Sequence, residues 1–159
     1  MKGTTQLNYT RRRILTAGAA FATLGTLLWK PLELLAAEWN RAAFEAKALA
    51  DALKNIGATN AVESKDILIK APDIAENGAV VPIEVTSKIA STQSIAIVAE
   101  KNPFPLVASF VLPEGTEGYA STRIKLGQTS NIKVVVKAGD GKVYAASKEI
   151  KVTIGGCGG

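Results

Sequence analysis

The sequence predicts an all-β fold: an immunoglobulin-like antiparallel β-sandwich, preceded by an N-terminal helix and followed by a flexible C-terminal arm. Between residues 62 and 154, apolar and polar side chains alternate with a period of two, which indicates strands with one buried face. Glycine, proline and asparagine turns recur about every ten positions in this segment, a spacing typical of a two-sheet sandwich. The alternation is absent from residues 38–58, which have helical spacing, and from the glycine-rich residues 155–159.

Residues 1–37 predict a twin-arginine signal peptide. Arg11 and Arg12 stand before a mainly apolar run over residues 14–29, the arrangement typical of this export signal. The alternative is a membrane anchor, but a mainly apolar run of sixteen residues is short for a helix that crosses a bilayer. We therefore expect cleavage after residue 36 or 37, a periplasmic mature chain, and no membrane association once the signal is removed.

Composition excludes several classes of function. The net charge of +5 is concentrated in the signal, since residues 1–37 contain five basic residues and one acidic residue, and the remainder is close to neutral at +1. No basic stripe for nucleic acid remains after cleavage. The 159 residues include no histidine and one cysteine, which argues against a metal site, a bound cofactor, a histidine-based catalytic triad and an internal disulfide. We expect a chain without catalytic residues of its own.

Residues 38–58 predict a single helix. Its apolar residues are spaced by three or four along one face: Ala42, Ala46, Leu49, Leu53 and Ile56. Asn40 is placed to cap its start and Gly57 to end it. We expect this helix to cover one face or edge of the sandwich. The alternative is that Trp39 and Phe44 form a second apolar surface that contacts a partner chain.

Residues 62–154 predict about seven short strands. They are residues 66–70, 81–86, 94–100, 106–112, 119–126, 132–137 and 143–154, with a hairpin at residues 139–141. Pro82 indicates an edge position or a bulge, because proline cannot donate to a ladder. Phe104 is expected to plug one end of the core, and residues 145–147 to bend or bulge the last strand. Val98 and Val135 are interpreted as core residues rather than as a partner surface.

One phase of the alternation defines the inward face of each predicted strand. The inward sets include Val81, Ile83 and Val85; Leu106, Ala108, Phe110 and Leu112; Ala120, Thr122, Ile124 and Leu126; and Ile132, Val134 and Val136. The last strand is expected to be pinned to a sheet edge by Ile150, Val152 and Ile154.

The chain ends in Gly155-Gly156-Cys157-Gly158-Gly159, which contains the only thiol. Glycine lacks a Cβ and has the broadest backbone freedom, so these residues are expected to form a flexible arm. Cys157 lies three residues beyond Ile154, a reach of at most about 10 Å. An unpaired, exposed thiol in an oxidising compartment calls for a functional explanation, and Cys157 is the candidate reactive residue.

The C-terminal sequence resembles that of the SoxY family, the sulfur-carrying subunits of SoxYZ complexes in thiosulfate oxidation. The terminal pentapeptide after Lys-Val-Thr-Ile has the strongest likeness, and the leader, the predicted helix, residues 71–83 and residues 140–144 also fit. The resemblance implies an immunoglobulin-like sandwich that pairs with a SoxZ-type subunit. It also implies that Cys157 is the covalent attachment site for thiosulfate-derived sulfur, with Gly155, Gly156, Gly158 and Gly159 as the arm.

The resemblance further implies transient partners that supply the chemistry. A haem-containing SoxAX-type enzyme joins thiosulfate to the cysteine, a SoxB-type hydrolase releases sulfate, and a SoxCD-type dehydrogenase, where present, oxidises the remaining sulfane sulfur. With neither histidine nor arginine near it in sequence, the thiol is expected to keep an ordinary pKa of about 8.5. Two alternatives remain: a sulfur carrier that uses the terminal Gly158-Gly159 carboxyl as a thiocarboxylate, and a structural periplasmic module.

Overall fold

The computed structural model describes residues 40–154. The predicted signal peptide of residues 1–37 and the predicted arm of residues 155–159 lie outside the described residues. Within residues 40–154, nine strands form two sheets that pack face to face, with two short helices on the outer face of the larger sheet. The fold is an immunoglobulin-like β-sandwich, as the alternation predicts. None of the described helices is long and apolar enough to cross a membrane.

The elements follow one another in chain order. They are α1 (Arg41–Phe44), α2 (Leu49–Asn55), β1 (Val62–Glu63), β2 (Ile67–Lys70), β3 (Ile74–Asn77), β4 (Val81–Ser87), β5 (Thr92–Ala99), β6 (Leu106–Val111), β7 (Tyr119–Ile124), β8 (Ser130–Ala138) and β9 (Val143–Ile154). The larger sheet has the strand order β1-β9-β8-β5-β6, with β3 also paired to β9. The smaller sheet has the order β2-β4-β7.

Alternate residues of the facing strands fill the space between the two sheets. Val81, Ile83 and Val85 of β4 point inward and are fully buried. They belong to one cluster with residues of β5 and β8: Ile95, Ile97, Ile132, Val134 and Val136. Full burial of each such side chain stabilises the fold by about 1.5–3 kcal/mol. The predicted inward sets of β4, β7 and β8 are confirmed.

A second apolar layer lies between the helices and the larger sheet. Val98 of β5 and Val135 of β8 are buried there against Ala43 of α1 and Ala52 of α2. The expectation that the N-terminal segment covers a face of the sandwich is confirmed, and so is the assignment of both valines to the core. Phe44 packs against this layer, whereas Trp39 lies outside the described residues. β5 is therefore buried on both faces.

The prediction of one continuous helix over residues 38–58 is wrong. Ala43 and Ala52 are both fully buried in the same layer. In a continuous helix, at about 100° per residue, two positions nine apart lie on opposite sides, so such a helix would bury only one of them. The helix instead ends at Phe44 and a second one begins at Leu49. Ala48, just before the second helix, is extended with φ −90° and ψ 137°. Ala42, predicted to face inward, is exposed.

Two asparagines fasten the short helices together. The Asn40 side chain accepts from the Ala43 amide at 3.1 Å, which caps α1, and donates to the Asn55 carbonyl at 2.8 Å. Asn55 in turn donates to the Ala42 carbonyl at 2.9 Å. Gly57 ends α2 with a φ of +71°, the left-handed conformation that glycine adopts without a Cβ penalty. The predicted caps at Asn40 and Gly57 are confirmed.

The larger sheet is mixed rather than purely antiparallel, because β1 and β3 pair parallel to β9. Alternation did not reveal these two strands, since β1 has two residues and β3 buries only Ala75. Their presence also corrects the placement of the last strand. β9 has β8 on one side and β1 and β3 on the other, so it is an interior strand and not an edge strand.

Pro82 occupies an edge-like position within the central strand of the smaller sheet. β2 pairs with β4 only from Glu84 to Ser87, so Pro82 has one neighbour, Arg123 of β7. A proline is tolerated there because no second ladder needs its missing N–H. The expectation for Phe104 is wrong: this side chain is 47% exposed, and Pro105 is the buried residue of that loop.

The bulges lie elsewhere than predicted. β9 pairs with β8 without a register shift through residues 144–150, so no bulge occurs at residues 145–147. A shift does occur between β5 and β6, where Val107 is the extra residue between the partners of Ile97 and Val98. This extra residue turns Leu106 to the helix layer while Ala108 stays with the core between the sheets. Leu106 is therefore out of phase with the rest of its strand.

Candidate functional site at the end of the last strand

The candidate site is approached through β9, the strand that leads to the terminal cysteine. Cys157, its four neighbouring glycines and the predicted export residues Arg11 and Arg12 all lie outside the described residues. The description reaches Ile154, three residues before Cys157. The described part of the site is therefore the end of β9, residues 150–154, together with the residues that hold it in place. We call this part the root.

β9 is paired with other strands along its whole length, but the strands differ between its two ends. β8 pairs with residues 143–150, and its last rung joins Ser130 to Ile150. Beyond that rung β3 takes over on the other side, pairing Ala75 with Val152 and Asn77 with Ile154. Residues 151–154 consequently have a strand on one side only among the described residues.

Side-chain packing anchors this end of β9 to the core. Ile150 is fully buried, and Val152 packs against the same cluster beside Ala75 of β3. Outside the core, the Lys148 ammonium group donates to the Ala71 carbonyl at 2.6 Å and lies 3.0 Å from an Asp73 carboxylate oxygen. The chain entering β3 is thereby tied to β9 before the two strands pair.

Two threonine hydroxyls complete the hydrogen bonding of the root. Thr129 Oγ1 accepts from the Val152 amide at 3.0 Å, on a half-buried site just before β8 begins. Thr153 Oγ1 donates to the Glu76 carbonyl at 2.9 Å, on the β3 side. The sequence offered no signal for either contact, because each joins residues that lie far apart in the chain.

A network of loop contacts holds Thr129 in place. Ser130, which is 1% exposed, accepts from the Lys101 amide at 3.1 Å. Asn102 donates to the Lys125 carbonyl at 2.7 Å and accepts from the Gly127 amide at 3.3 Å. The loop after β5 is thus fastened to the loop before β8, and the Thr129 hydroxyl is presented from a braced segment.

A model of the family described as "Sulfur oxidation protein SoxY" matches residues 53–157, more than half of the 159 residues. This chain belongs to the SoxY family. The match begins within α2 and has Cys157 as its last residue. No curated protein sequence matched the chain.

One solved structure supports the same assignment, and a second shares the fold. The sulfur carrier protein SoxY from Chlorobium limicola f thiosulfatophilum is 43% identical, with a TM-score of 0.60, over 67% of this chain and 96% of that one. A putative superoxide reductase from Thermotoga maritima is 16% identical, with a TM-score of 0.51, over 58% of this chain and 93% of that one. The second likeness shows the sandwich fold alone.

A cleft of this SoxY-family chain lies at the opposite end of β9. It has a volume of about 1140 Å³ and is lined in part by Gly139, Asp140 and Tyr144, beside the β8–β9 hairpin. β9 has 12 residues, which places this hairpin about 35 Å from the strand's far end at about 3.3 Å per residue. Cys157 reaches at most about 10 Å beyond Ile154. The cleft is therefore not a pocket for a group on the cysteine of the same molecule.

The buried polar side chains in residues 40–154 have hydrogen-bond partners. The buried hydroxyls of Ser87 and Thr92 lie 2.8 Å apart, and no buried side-chain nitrogen or oxygen in this part of the chain lacks a hydrogen bond. These residues also contain no cluster of three potential metal ligands. At the exposed hairpin, the Lys142 amide hydrogen bond holds the pKa of the Asp140 carboxyl below its usual range. The carboxylate in turn raises the pKa of the Lys142 ammonium group.

Proposed function

We propose that this chain is the covalent sulfur carrier of a SoxYZ complex, with Cys157 as the attachment point. The observation that supports this most directly is the SoxY family match, which runs through residue 157. The root geometry agrees with the proposal, because β9 is anchored by Ile150 and Val152 up to a few residues before the only thiol. In this proposal the described residues form a scaffold, and the reactive thiol of Cys157 comes after it in the sequence.

The chemistry requires a thiol and an external oxidant. In the loading step the Cys157 sulfur bonds to the sulfane sulfur of thiosulfate, giving a cysteine S-thiosulfonate. The thiol proton is released, and two electrons pass to the haem of a SoxAX-type enzyme. A SoxB-type hydrolase then adds water across the S–sulfonate bond, releasing sulfate and leaving a cysteine persulfide. A SoxCD-type dehydrogenase oxidises that remaining sulfane sulfur where it is present.

Cysteine and glycine suit these steps for separate physical reasons. A thiolate is a soft nucleophile and also a leaving group, so sulfur can be added and later removed. Glycine has no side chain, so Gly155, Gly156, Gly158 and Gly159 let the thiol enter a narrow active site. Ordering such a backbone costs about 1–2 kcal/mol per residue. Docking through the arm alone is therefore weak, which allows release from one enzyme and transfer to the next.

We further propose that the chain works in the periplasm. Arg11 and Arg12 precede the apolar part of the leader, as in twin-arginine signals. Membership of the SoxY family implies a complex with sulfur-oxidation partners, and we assign a SoxZ-type subunit as the stable one. Thiosulfate-derived sulfur is the cargo, and no resident cofactor is part of the proposal.

Reconstituted thiosulfate oxidation tests the proposal. The complete system is assembled with wild-type chain, with Cys157→Ser, or with a chain that ends at Ile154. Cytochrome reduction by thiosulfate is the readout. Both variants are expected to abolish turnover while the SoxZ-type subunit still co-purifies with them. Turnover that survives Cys157→Ser would rule out the thiol as the attachment point and favour the terminal carboxyl. Turnover that survives truncation would favour a purely structural module.

A further inference from the structure

The last residues of β9 lie beyond the end of β8, so that among the described residues only β3 pairs with them. The last pair between β8 and β9 is Ser130 with Ile150. The next β9 amide that points to the β8 side is that of Val152. No β8 carbonyl is paired with this amide. The hydroxyl of Thr129 accepts its hydrogen bond at 3.0 Å instead, one residue before β8 begins.

The bonds on the opposite side of β9 alternate with this one. The Lys151 amide donates to the Asp73 carbonyl at 3.0 Å, and the Thr153 hydroxyl donates to the Glu76 carbonyl at 2.9 Å. Val152 is thus bonded toward Thr129, while the residues before and after it are bonded toward β3. A side chain here takes the role that a backbone carbonyl has in a regular ladder.

Thr129 is well placed to act as a fixed point. Its neighbour Ser130 is buried and accepts from the Lys101 amide. Asn102 bridges the preceding loop through the Lys125 carbonyl and the Gly127 amide. Because both flanks of Thr129 are fastened, the Val152 amide is bonded to a braced segment and not to a free loop.

We propose that Thr129 is a positioning residue for the carrier cysteine. It holds Val152 on the β8 side while β3 pairs with the strand on the other side, and the two together fix the position of Ile154, from which the glycine arm departs. This inference rests on the proposed carrier function. Thr153 supports the same point from the β3 side.

Loss of the Thr129 hydroxyl frees the β8 side of the strand end, whereas β3 still pairs with Lys151, Val152 and Ile154. The strand end is then held from one side only, so the position of Ile154 is less well fixed. Removing one hydrogen bond of ordinary strength raises the population of the opened strand end about fivefold.

The test uses the intact SoxYZ complex with size-matched substitutions. Thr129→Val removes the hydroxyl, Thr129→Ser keeps it, and Thr153→Val loosens the same strand end from its exposed side. Thr116→Val is the control, since the Thr116 hydroxyl donates to the Pro113 carbonyl at 2.6 Å in an exposed turn away from β9. Two quantities are measured: hydrogen exchange at the Val152 and Thr153 amides, and the KM and kcat of a SoxAX-type enzyme loading thiosulfate onto the complex.

Thr129→Val is expected to speed exchange at these amides about fivefold. It is also expected to raise the KM for the carrier, by at most about fivefold, with kcat unchanged. Thr153→Val should act in the same direction, while Thr129→Ser and Thr116→Val should match the wild type. Unchanged exchange in Thr129→Val, or faster exchange with an unchanged KM, would overturn the positioning role. If the wild-type chain is not loaded at Cys157 at all, the carrier function itself is contradicted. That result is distinct from the two outcomes that would overturn the role of Thr129.

Discussion

Asn77 lies opposite Ile154 in parallel register, and this pair is the last rung between β3 and β9 in the described chain. The described β9 residues that pack in the core between the two sheets are Tyr144, Ala146, Ile150 and Val152, all of which precede that rung. The fold of residues 40–154 is therefore expected to be independent of the five residues that follow.

We predict that a chain ending at Ile154 keeps the free energy of unfolding of the full mature chain to within about 0.5 kcal/mol, the usual range for changes away from a core. Urea unfolding followed by circular dichroism measures this difference. A loss of about 2 kcal/mol or more would mean that the terminal residues pack on the sandwich, contrary to their proposed role as a free arm.

The helix layer provides a paired test with the same substitution at two positions of α2. Ala52 is fully buried against the larger sheet, whereas Ala50 on the same helix is exposed. Ala52→Glu forces a carboxylate into an apolar layer and is expected to cost more than about 2 kcal/mol. Ala50→Glu should change stability by less than about 0.5 kcal/mol. Equal effects of the two substitutions in chemical unfolding would contradict the packing of α2 on the sheet.

The β8–β9 hairpin gives a prediction in acid. Asp140 accepts from the Lys142 amide at 3.0 Å, and this bond is the main cause of the lowered carboxyl pKa. A lowered pKa means that the stabilising contribution is present above the unfolded value and is lost as the pH falls through the folded one. NMR titration of the Asp140 carboxyl carbon should give a midpoint below 3.8.

A substitution separates the two causes at this hairpin. Lys142→Met removes the ammonium group but keeps the backbone amide, so most of the lowering of the Asp140 pKa should remain. In the wild type, an Asp140 pKa that is not lowered would contradict the hairpin geometry. Complete loss of the shift in Lys142→Met would show that charge, and not the amide, is responsible.

The leader offers a test of the predicted export route. Replacing Arg11 and Arg12 together by lysine is expected to leave the uncleaved precursor in the cytoplasm, because the twin-arginine pathway reads the pair and not its charge. Arg13→Lys is the matched control and should be exported normally. Cell fractionation with immunodetection of precursor and mature forms measures both. Normal export of the double variant would mean that another route or an anchor operates.

Much of the sandwich could be predicted because most strands have one face toward the core and the other toward water. The inward sets of β4, β7 and β8 follow from that alternation alone. β1 and β3 could not be predicted, since strands of two and four residues with at most one buried side chain leave no periodic pattern. The interruption of the helix before Leu49 could not be predicted from the sequence either, because it depends on which alanines pack against the sheet.

The candidate site divides in a similar way. The terminal Cys157 and its glycines were evident from composition and position, and the family match ends on that cysteine. The contact between Thr129 and Val152 was not, because it depends on where β8 ends its pairing with β9. A side chain that replaces a missing rung has no signature in sequence, and it becomes visible only once the strand register is known.

Intact mass spectrometry of the mature chain, isolated under non-reducing conditions after exposure to thiosulfate and its SoxAX-type partner, tests the central claim most directly. We predict one adduct with the mass of a thiosulfonate, located at Cys157 by fragmentation, removed by a thiol reductant and absent from Cys157→Ser. An adduct that persists in Cys157→Ser, or a wild-type chain that stays unmodified while thiosulfate is consumed, would contradict the assignment of this chain as the carrier.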